Sequence, residues 1–129
     1  MDKLSICTYN CRGLPKDGKK LGLRPDICKI LESHHIIAFQ ETWYSKQNLK
    51  YLNTLHSCYD GFGAAKIDES TDIIQGRFSG RVAFMWRKEL GKFVSRIDLE
   101  VDWCVAIELQ MDYTCYIPYT LINCLVYLY

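Results

Sequence analysis

Residues 36–43 read Ile-Ile-Ala-Phe-Gln-Glu-Thr-Trp and carry the strongest fold signal in the chain. The first residues of this run are apolar and suit a buried strand. The run then delivers a carboxylate, Glu41, to the point where the strand should end. A carboxylate in an apolar run is costly to bury unless it is paired or holds a cation. Glu41 is therefore the leading candidate for a functional residue.

A second strand is predicted near the start of the chain, at residues 4–9, where apolar and small polar residues alternate with a period of two. It ends in the polar turn Asn10-Cys11-Arg12-Gly13. Two predicted strands thus end in Asn10 and Glu41.

The segment between these strands is predicted to contain a helix. Residues 14–23 are rich in Gly, Lys and Pro and suggest a mobile loop, and Pro25 then suits the first turn of a helix. Ile27, Ile30 and Leu31 would form its buried stripe, and His34 and His35 would lie near its end. A crossover of this length favours neighbouring, parallel strands.

The rest of the chain is predicted to form a short helix followed by sheet. Ser45 suits a helix cap, with leucines spaced three apart after it, and residues 63–79 suit an exposed connection. Further strands are expected at residues 81–86, 93–99, 104–111 and from 113 onward. Residues 116–129 contain no charge, so this segment is either a buried central strand or lacks its sheet partner.

Length and composition indicate one globular domain that occupies residues 1–129. The chain is 49% hydrophobic and 24% charged, which is ordinary for a soluble protein. Neither a signal-peptide core nor a membrane-spanning apolar run is recognisable. The seven cysteines are scattered without a Cys-x-x-Cys pair, which favours reduced thiols and an intracellular location, nuclear or cytoplasmic.

Positive charge is clustered although the net charge is only +1. Residues 12–24 hold five basic side chains against one acidic, and residues 77–96 hold six against one. Such clusters either bind nucleic acid or merely solvate loops and strand edges. The candidate nucleic-acid contacts are Arg12, Lys16, Lys19, Lys20, Arg77 and Arg81.

The Asn10 turn, the Phe39-Gln40-Glu41-Thr42 signature and the apolar strand at residues 80–86 occur in an order that resembles the endonuclease/exonuclease/phosphatase superfamily. The likeness is greatest to endonucleases of retrotransposons without long terminal repeats. This resemblance implies an α/β fold, part of a four-layer α/β sandwich, with roughly one sheet, flanking helices and the second half of the fold absent. It also implies hydrolysis of phosphate esters with Mg²⁺ or Mn²⁺.

The resemblance assigns roles to three residues. Glu41 matches the metal-binding glutamate, Asn10 matches an asparagine near metal and phosphate, and Tyr127 corresponds weakly to a tyrosine that reaches the site. The alternatives are a surface or capping carboxylate for Glu41 and a turn-forming side chain for Asn10. The family's later Gly-Asp-x-Asn and Asp-His elements do not occur in these 129 residues.

Three functional hypotheses follow. The first is the N-terminal half of a metal-dependent phosphodiesterase acting on DNA, catalytically incomplete by itself. The second is a non-catalytic nucleic-acid-binding module, and the third is a truncated product without a function of its own. Expected partners are nucleic acid, the missing C-terminal half or a chaperone, and no membrane. The sequence predicts no oligomeric state.

Overall fold

The computed structural model describes residues 4–70, 81–113 and 120–128, and the side chains of residues 4–70 and 81–110. There are two described α-helices, α1 (Gly18–Leu21) and α2 (Pro25–Ser33). Two 3₁₀ segments follow later in the chain, at Lys46–Asn53 and Lys88–Phe93. The described strands are β1 (Ile6–Asn10), β2 (Ile36–Gln40), β3 (Tyr59–Ala64), β4 (Val82–Arg87), β5 (Val94–Ile97), β6 (Val105–Tyr113) and β7 (Thr120–Leu128). The predicted α/β class is confirmed.

The strands divide between two sheets, whereas the sequence analysis expects roughly one. The first sheet has the order β1-β2-β4-β3, and the second has the order β5-β6-β7. β1 and β2 are parallel, as predicted, with Ile6 opposite Ile36 and Asn10 opposite Gln40. The other pairings are antiparallel. The parallel pair is connected by α2, which begins at Pro25 as expected.

Strand β2 is buried on both faces, which explains its continuous apolar sequence. Ile37 and Phe39 belong to the core cluster shared with the helices. Ile36 and Ala38 point the other way, into a cluster that includes Ile107 of β6. The first sheet is therefore covered by helices on one face and by the second sheet on the other.

Two segments differ from the sequence prediction because packing contacts order them. Residues 14–23 contain α1, whose Asp17 cap accepts a hydrogen bond from the Lys20 backbone N–H at 2.7 Å, and Leu14 and Leu21 are buried. The loop prediction is therefore wrong for residues 18–21, which form α1. The predicted helix after Ser45 is a 3₁₀ segment, and the Ser45 hydroxyl donates to Glu69 at 2.9 Å instead of capping it.

Strand β3 was not predicted, because its glycines suggest a turn and not a strand. A Cβ atom on Gly61 would lie 2.8 Å from Leu52 Cβ, and one on Gly63 would lie 3.0 Å from Leu52 Cδ1. The two glycines therefore allow the 3₁₀ segment that carries Leu52 to pack directly on the strand.

At the C-terminal end, β7 pairs with β6 and forms the edge of the described three-stranded sheet. The strand prediction from residue 113 onward is confirmed for the part of it that forms β7.

The described cysteines are free thiols, and two of them, Cys11 and Cys104, are buried. In the part of the chain that the structure covers, no helix is long and apolar enough to cross a membrane.

Candidate metal and phosphate site

The turn after β1 and the loop after β2 form one hydrogen-bonded unit. Because the two strands are parallel, their carboxyl ends lie at the same edge of the sheet. The ladder continues beyond them: the backbone N–H of Cys11 donates to the Gln40 carbonyl at 3.0 Å, and that of Gly13 donates to the Glu41 carbonyl at 2.7 Å. The structure thus brings the backbones of Asn10 and Glu41 together.

This edge also concentrates unusual backbone geometry. Arg12, Glu41 and Trp43 have φ angles of 49°, 53° and 60°, and Gly13 has a φ of 97°. Among the described residues only Glu100, at 57°, has a left-handed backbone elsewhere. Residues other than glycine rarely adopt this backbone region, and such conformations concentrate at functional sites. The geometry therefore singles out the same edge as the sequence does.

The side chain of Asn10 closes its own turn, because its Oδ1 accepts a hydrogen bond from the Arg12 backbone N–H at 3.3 Å. This is the turn-forming role that the sequence analysis left open. A carbonyl oxygen has two lone pairs, and the amide also carries two N–H donors. Asn10 is exposed, so the turn contact leaves it chemically able to contact a phosphate as well.

The neighbours of Glu41 are held by their own contacts, while Glu41 itself is half-buried. Gln40 donates to the Thr8 hydroxyl at 3.0 Å. Thr42 is buried, and its backbone N–H donates to the Arg81 carbonyl at 3.2 Å. Residues on both sides of Glu41 are therefore anchored, which limits where its carboxylate can go.

The donors at this edge fit Mg²⁺, which keeps several water ligands, better than a metal that is coordinated entirely by protein side chains. Within the described residues, no group of three or more His, Cys, Asp or Glu side chains is placed to hold a metal. Mg²⁺ needs only one or two carboxylates, since water and substrate phosphate complete its shell. Burial raises the pKa of the nearby Cys11 thiol to about 12, and Mg²⁺ takes oxygen ligands and not sulfur. Glu41, with Asn10 beside it, is the donor set that fits.

The predicted basic residues fall into different environments. Arg12 lies in the Asn10–Gly13 turn, Lys16, Lys19 and Lys20 follow it along the chain, and all four are exposed. Arg81 is 5% exposed, and burial lowers its pKa while the charge of Asp102 opposes that shift. An enclosed Arg81 does not match the surface cation that the sequence analysis expects. Arg77 lies outside the described residues.

The histidines lie away from this edge of the sheet. His34 is the C-terminal cap of α2, and His35 Nδ1 accepts a hydrogen bond from the Ser5 backbone N–H at 2.9 Å, at the amino end of β2. His56 forms an edge contact with the ring of Tyr59. Tyr127 lies in β7, paired with Ala106, and its side chain is outside the described part.

One group of residues at the site was not predicted from the sequence: Tyr9 and Arg24 each donate a hydrogen bond to Asp26. The only local signal is Arg-Pro-Asp at the start of α2, because proline places the flanking residues at a helix N-terminus. That signal does not reveal what the arginine contacts.

Comparison with known proteins shows the family of the chain. A model of the endonuclease/exonuclease/phosphatase family matches residues 7–122. Among solved structures, the chain is similar to the crystal structure of humanized D. rerio TDP2 with 14 mutations, at 20% identity and a TM-score of 0.42. That match covers 83% of this chain and 41% of the TDP2 chain, so the chain spans less than half of that structure's length. Curated proteins gave no significant match. Because the family match covers most of the chain, including Asn10 and Glu41, the chain belongs to the endonuclease/exonuclease/phosphatase family.

Proposed function

We propose that this chain is part of a divalent-metal-dependent phosphodiesterase that acts on DNA, with Glu41 as the protein's metal ligand. The observation that carries the proposal is the position of Glu41. It follows a buried strand, has a left-handed backbone, and is hydrogen-bonded through its carbonyl to the Asn10 turn. Family membership supplies the reaction class. The closer likeness to retrotransposon endonucleases and the nuclear location stay predictions.

The residues at this edge divide the work by their chemistry. A bound Mg²⁺ or Mn²⁺ supplies Lewis-acid stabilisation of charge on the phosphate oxygens. Glu41 would hold that ion, and the amide of Asn10 would hydrogen-bond a phosphate oxygen in a fixed orientation. The exposed Arg12, Lys16 and Lys19 would neutralise neighbouring DNA phosphates.

We further propose that the 129 residues do not complete the catalytic machinery, and that a C-terminal partner segment supplies the rest. Neither a Gly-Asp-x-Asn nor an Asp-His element occurs in the sequence. Absence of a general acid or base costs about 10²- to 10⁴-fold in rate. Slow or undetectable cleavage by the chain alone is therefore expected, together with measurable metal binding.

Metal binding is tested first, because it needs no turnover. Mn²⁺ titrated into labelled protein should broaden the amide signals of Gly13 and Thr42 before those of the opposite sheet edge. The isosteric variant Glu41→Gln should lose this selective broadening. Glu32→Gln is the matched control, because Glu32 is exposed on α2, away from the site. Unchanged broadening in Glu41→Gln would exclude Glu41 as the ligand.

Cleavage is tested by nicking of supercoiled plasmid DNA with Mg²⁺. The chain alone should give little nicking above a no-metal control. Robust turnover that disappears in Glu41→Gln and survives in Glu32→Gln would support the phosphodiesterase and refute the incomplete site.

A second candidate function is nucleic-acid binding without catalysis, and the exposure of Arg12, Lys16, Lys19 and Lys20 along one segment favours it. The affinity should then fall with salt, with a log–log slope of about −0.9 per neutralised phosphate. Lys19→Gln should reduce that slope, while Glu41→Gln should leave DNA binding unchanged. Binding that is insensitive to salt would rule out this function.

A further inference from the structure

Arg24 contacts the candidate metal site although it lies on a different element. It precedes α2 as the helix N-cap residue, without a side-chain capping bond. Its guanidinium reaches back to the turn after β1, where Nη1 donates to the Gly13 carbonyl at 2.7 Å and Nη2 donates to the Cys11 carbonyl at 2.6 Å. Arg24 therefore binds two backbone carbonyls of the turn that begins at Asn10.

Asp26 holds this guanidinium in place. Arg24 Nε donates to Asp26 Oδ1 at 3.1 Å and Nη2 donates to Oδ2 at 3.0 Å, which is the two-point geometry that matches a planar guanidinium to a carboxylate. The Tyr9 hydroxyl adds a bond to Oδ2 at 2.7 Å. The hydrogen bonds from Arg24 hold the pKa of Asp26 well below its usual value, so the carboxylate stays charged.

The same turn is bound to Glu41 on its other side. Gly13 accepts from Arg24 through its carbonyl and donates to the Glu41 carbonyl through its N–H, at 2.7 Å. Cys11 likewise accepts from Arg24 and donates to the Gln40 carbonyl at 3.0 Å. Two residues of the turn thus connect the guanidinium to the backbone that carries Glu41.

We propose that Arg24 is a positioning residue for the metal site: its guanidinium fixes the Asn10–Gly13 turn and, through that turn, the backbone of Glu41. The inference rests on the proposed role of Glu41 as a metal ligand. Left-handed residues such as Arg12 and Glu41 persist only where their surroundings hold them, and Arg24 is part of those surroundings. Lysine cannot replace it, because an ammonium lacks the planar fork that reaches two carbonyls and a carboxylate together.

The test measures Mn²⁺ affinity of the 129-residue chain by water-proton relaxation in the variants Arg24→Lys and Arg24→Ala. Partners that orient a metal ligand indirectly change affinity by about 10- to 100-fold, and we expect a loss near tenfold for both variants. Millimolar guanidinium should restore part of the affinity in Arg24→Ala, and ammonium at the same ionic strength should not. The Gly13 amide hydrogen should also exchange with solvent faster in both variants than in the wild type. If Arg24→Ala folds poorly, the exchange rate in Arg24→Lys can still be compared with that in the wild type.

Arg87→Lys is the matched control for general loss of stability. The Arg87 guanidinium also bonds a backbone carbonyl, that of Glu32 at 3.0 Å, and the Tyr59 hydroxyl at 3.2 Å. It lies at the other end of the sheet, where its backbone N–H donates to the His35 carbonyl. Arg87→Lys should therefore change unfolding but leave the Mn²⁺ affinity within twofold of the wild type.

The outcomes separate the two proposals. If Glu41→Gln abolishes Mn²⁺ binding while both Arg24 variants stay within twofold of the wild type, only the positioning role is overturned. An equal loss of affinity in Arg87→Lys would also overturn it, since the effect would then be general. Mn²⁺ binding that is unaffected by Glu41→Gln overturns the metal-ligand role and the positioning role together.

Discussion

Gly13 should be intolerant of even the smallest side chain, and Gly13→Ala tests the geometry of the site turn. The backbone of Gly13 has a φ of 97°, which L-residues rarely adopt. A Cβ atom there would lie 2.5 Å from Trp43 Cε3 and 2.8 Å from Cζ3. The substitution therefore meets a backbone penalty and a steric penalty at the same position.

The two penalties have similar size. A residue held in a sparsely populated backbone region costs about 1–3 kcal/mol. Forcing an aromatic ring out of a packed position costs another 1–3 kcal/mol or so. Together they predict that Gly13→Ala lowers the free energy of unfolding by about 2–6 kcal/mol, a large share of the 5–15 kcal/mol or so that is typical of a native domain.

Urea unfolding followed by tryptophan fluorescence measures this loss. Gly91→Ala is the control, because a Cβ there meets no atom within 4 Å, and its unfolding free energy should stay within about 0.5 kcal/mol of the wild type. Repeating Gly13→Ala in a Trp43→Ala background removes the steric part and should leave about 1–3 kcal/mol. A Gly13→Ala protein as stable as Gly91→Ala would refute the argument, and an equal loss in both backgrounds would refute its steric half.

Three further predictions concern the rest of the fold. Leu52→Ala should lower the free energy of unfolding by about 2–5 kcal/mol in urea titrations, because this side chain is fully buried, whereas Leu23→Ala, at 78% exposure, should change it little. Tyr59→Phe should lower the same quantity by about 1–2 kcal/mol in thermal unfolding, because the hydroxyl shares its one proton between the carbonyls of Leu31 and His34 and accepts from Arg87 Nε. Burial and the charge of a nearby arginine lower the pKa of His35, so the unfolded chain takes up its proton at a higher pH than the folded one. This contribution to stability is complete above pH ~6.5 and is lost as the pH falls through the folded pKa, so the urea midpoint should fall on acidification, and less steeply in His35→Gln.

The features that the sequence predicted correctly are local ones. A period-two run, a proline at the start of a helix and a continuous apolar strand are each written in adjacent residues, and they gave the parallel β1–α2–β2 unit with Glu41 at its end. The same holds for β4, whose strand character is visible in residues 82–87 alone. Glu41 was chosen as the candidate metal ligand on the same kind of local signal, because it follows its strand directly in the sequence, and its role stays a prediction.

The features that the sequence did not predict depend on contacts between distant residues. Gly61 and Gly63 read as turn formers until Leu52 is seen packed against them. Arg81 was predicted to be a surface charge, because counting charges along a sequence carries no information on burial. In the structure its side chain is buried. Strand propensity is local, but the choice of partner strand is not, so the division into two sheets was also hidden.

The sequence by itself therefore determined the β1–α2–β2 unit, the strand β4, the α/β class and the choice of Glu41 as the candidate metal ligand. Only the tertiary structure decided how that residue is held. Glu41 has a left-handed backbone beside a turn to which Arg24 donates hydrogen bonds. Arg24 lies at the start of α2, 17 positions before Glu41 in the sequence. Local sequence specifies propensity, whereas such a conformation is stable only when packing and hydrogen bonds from other elements converge on it.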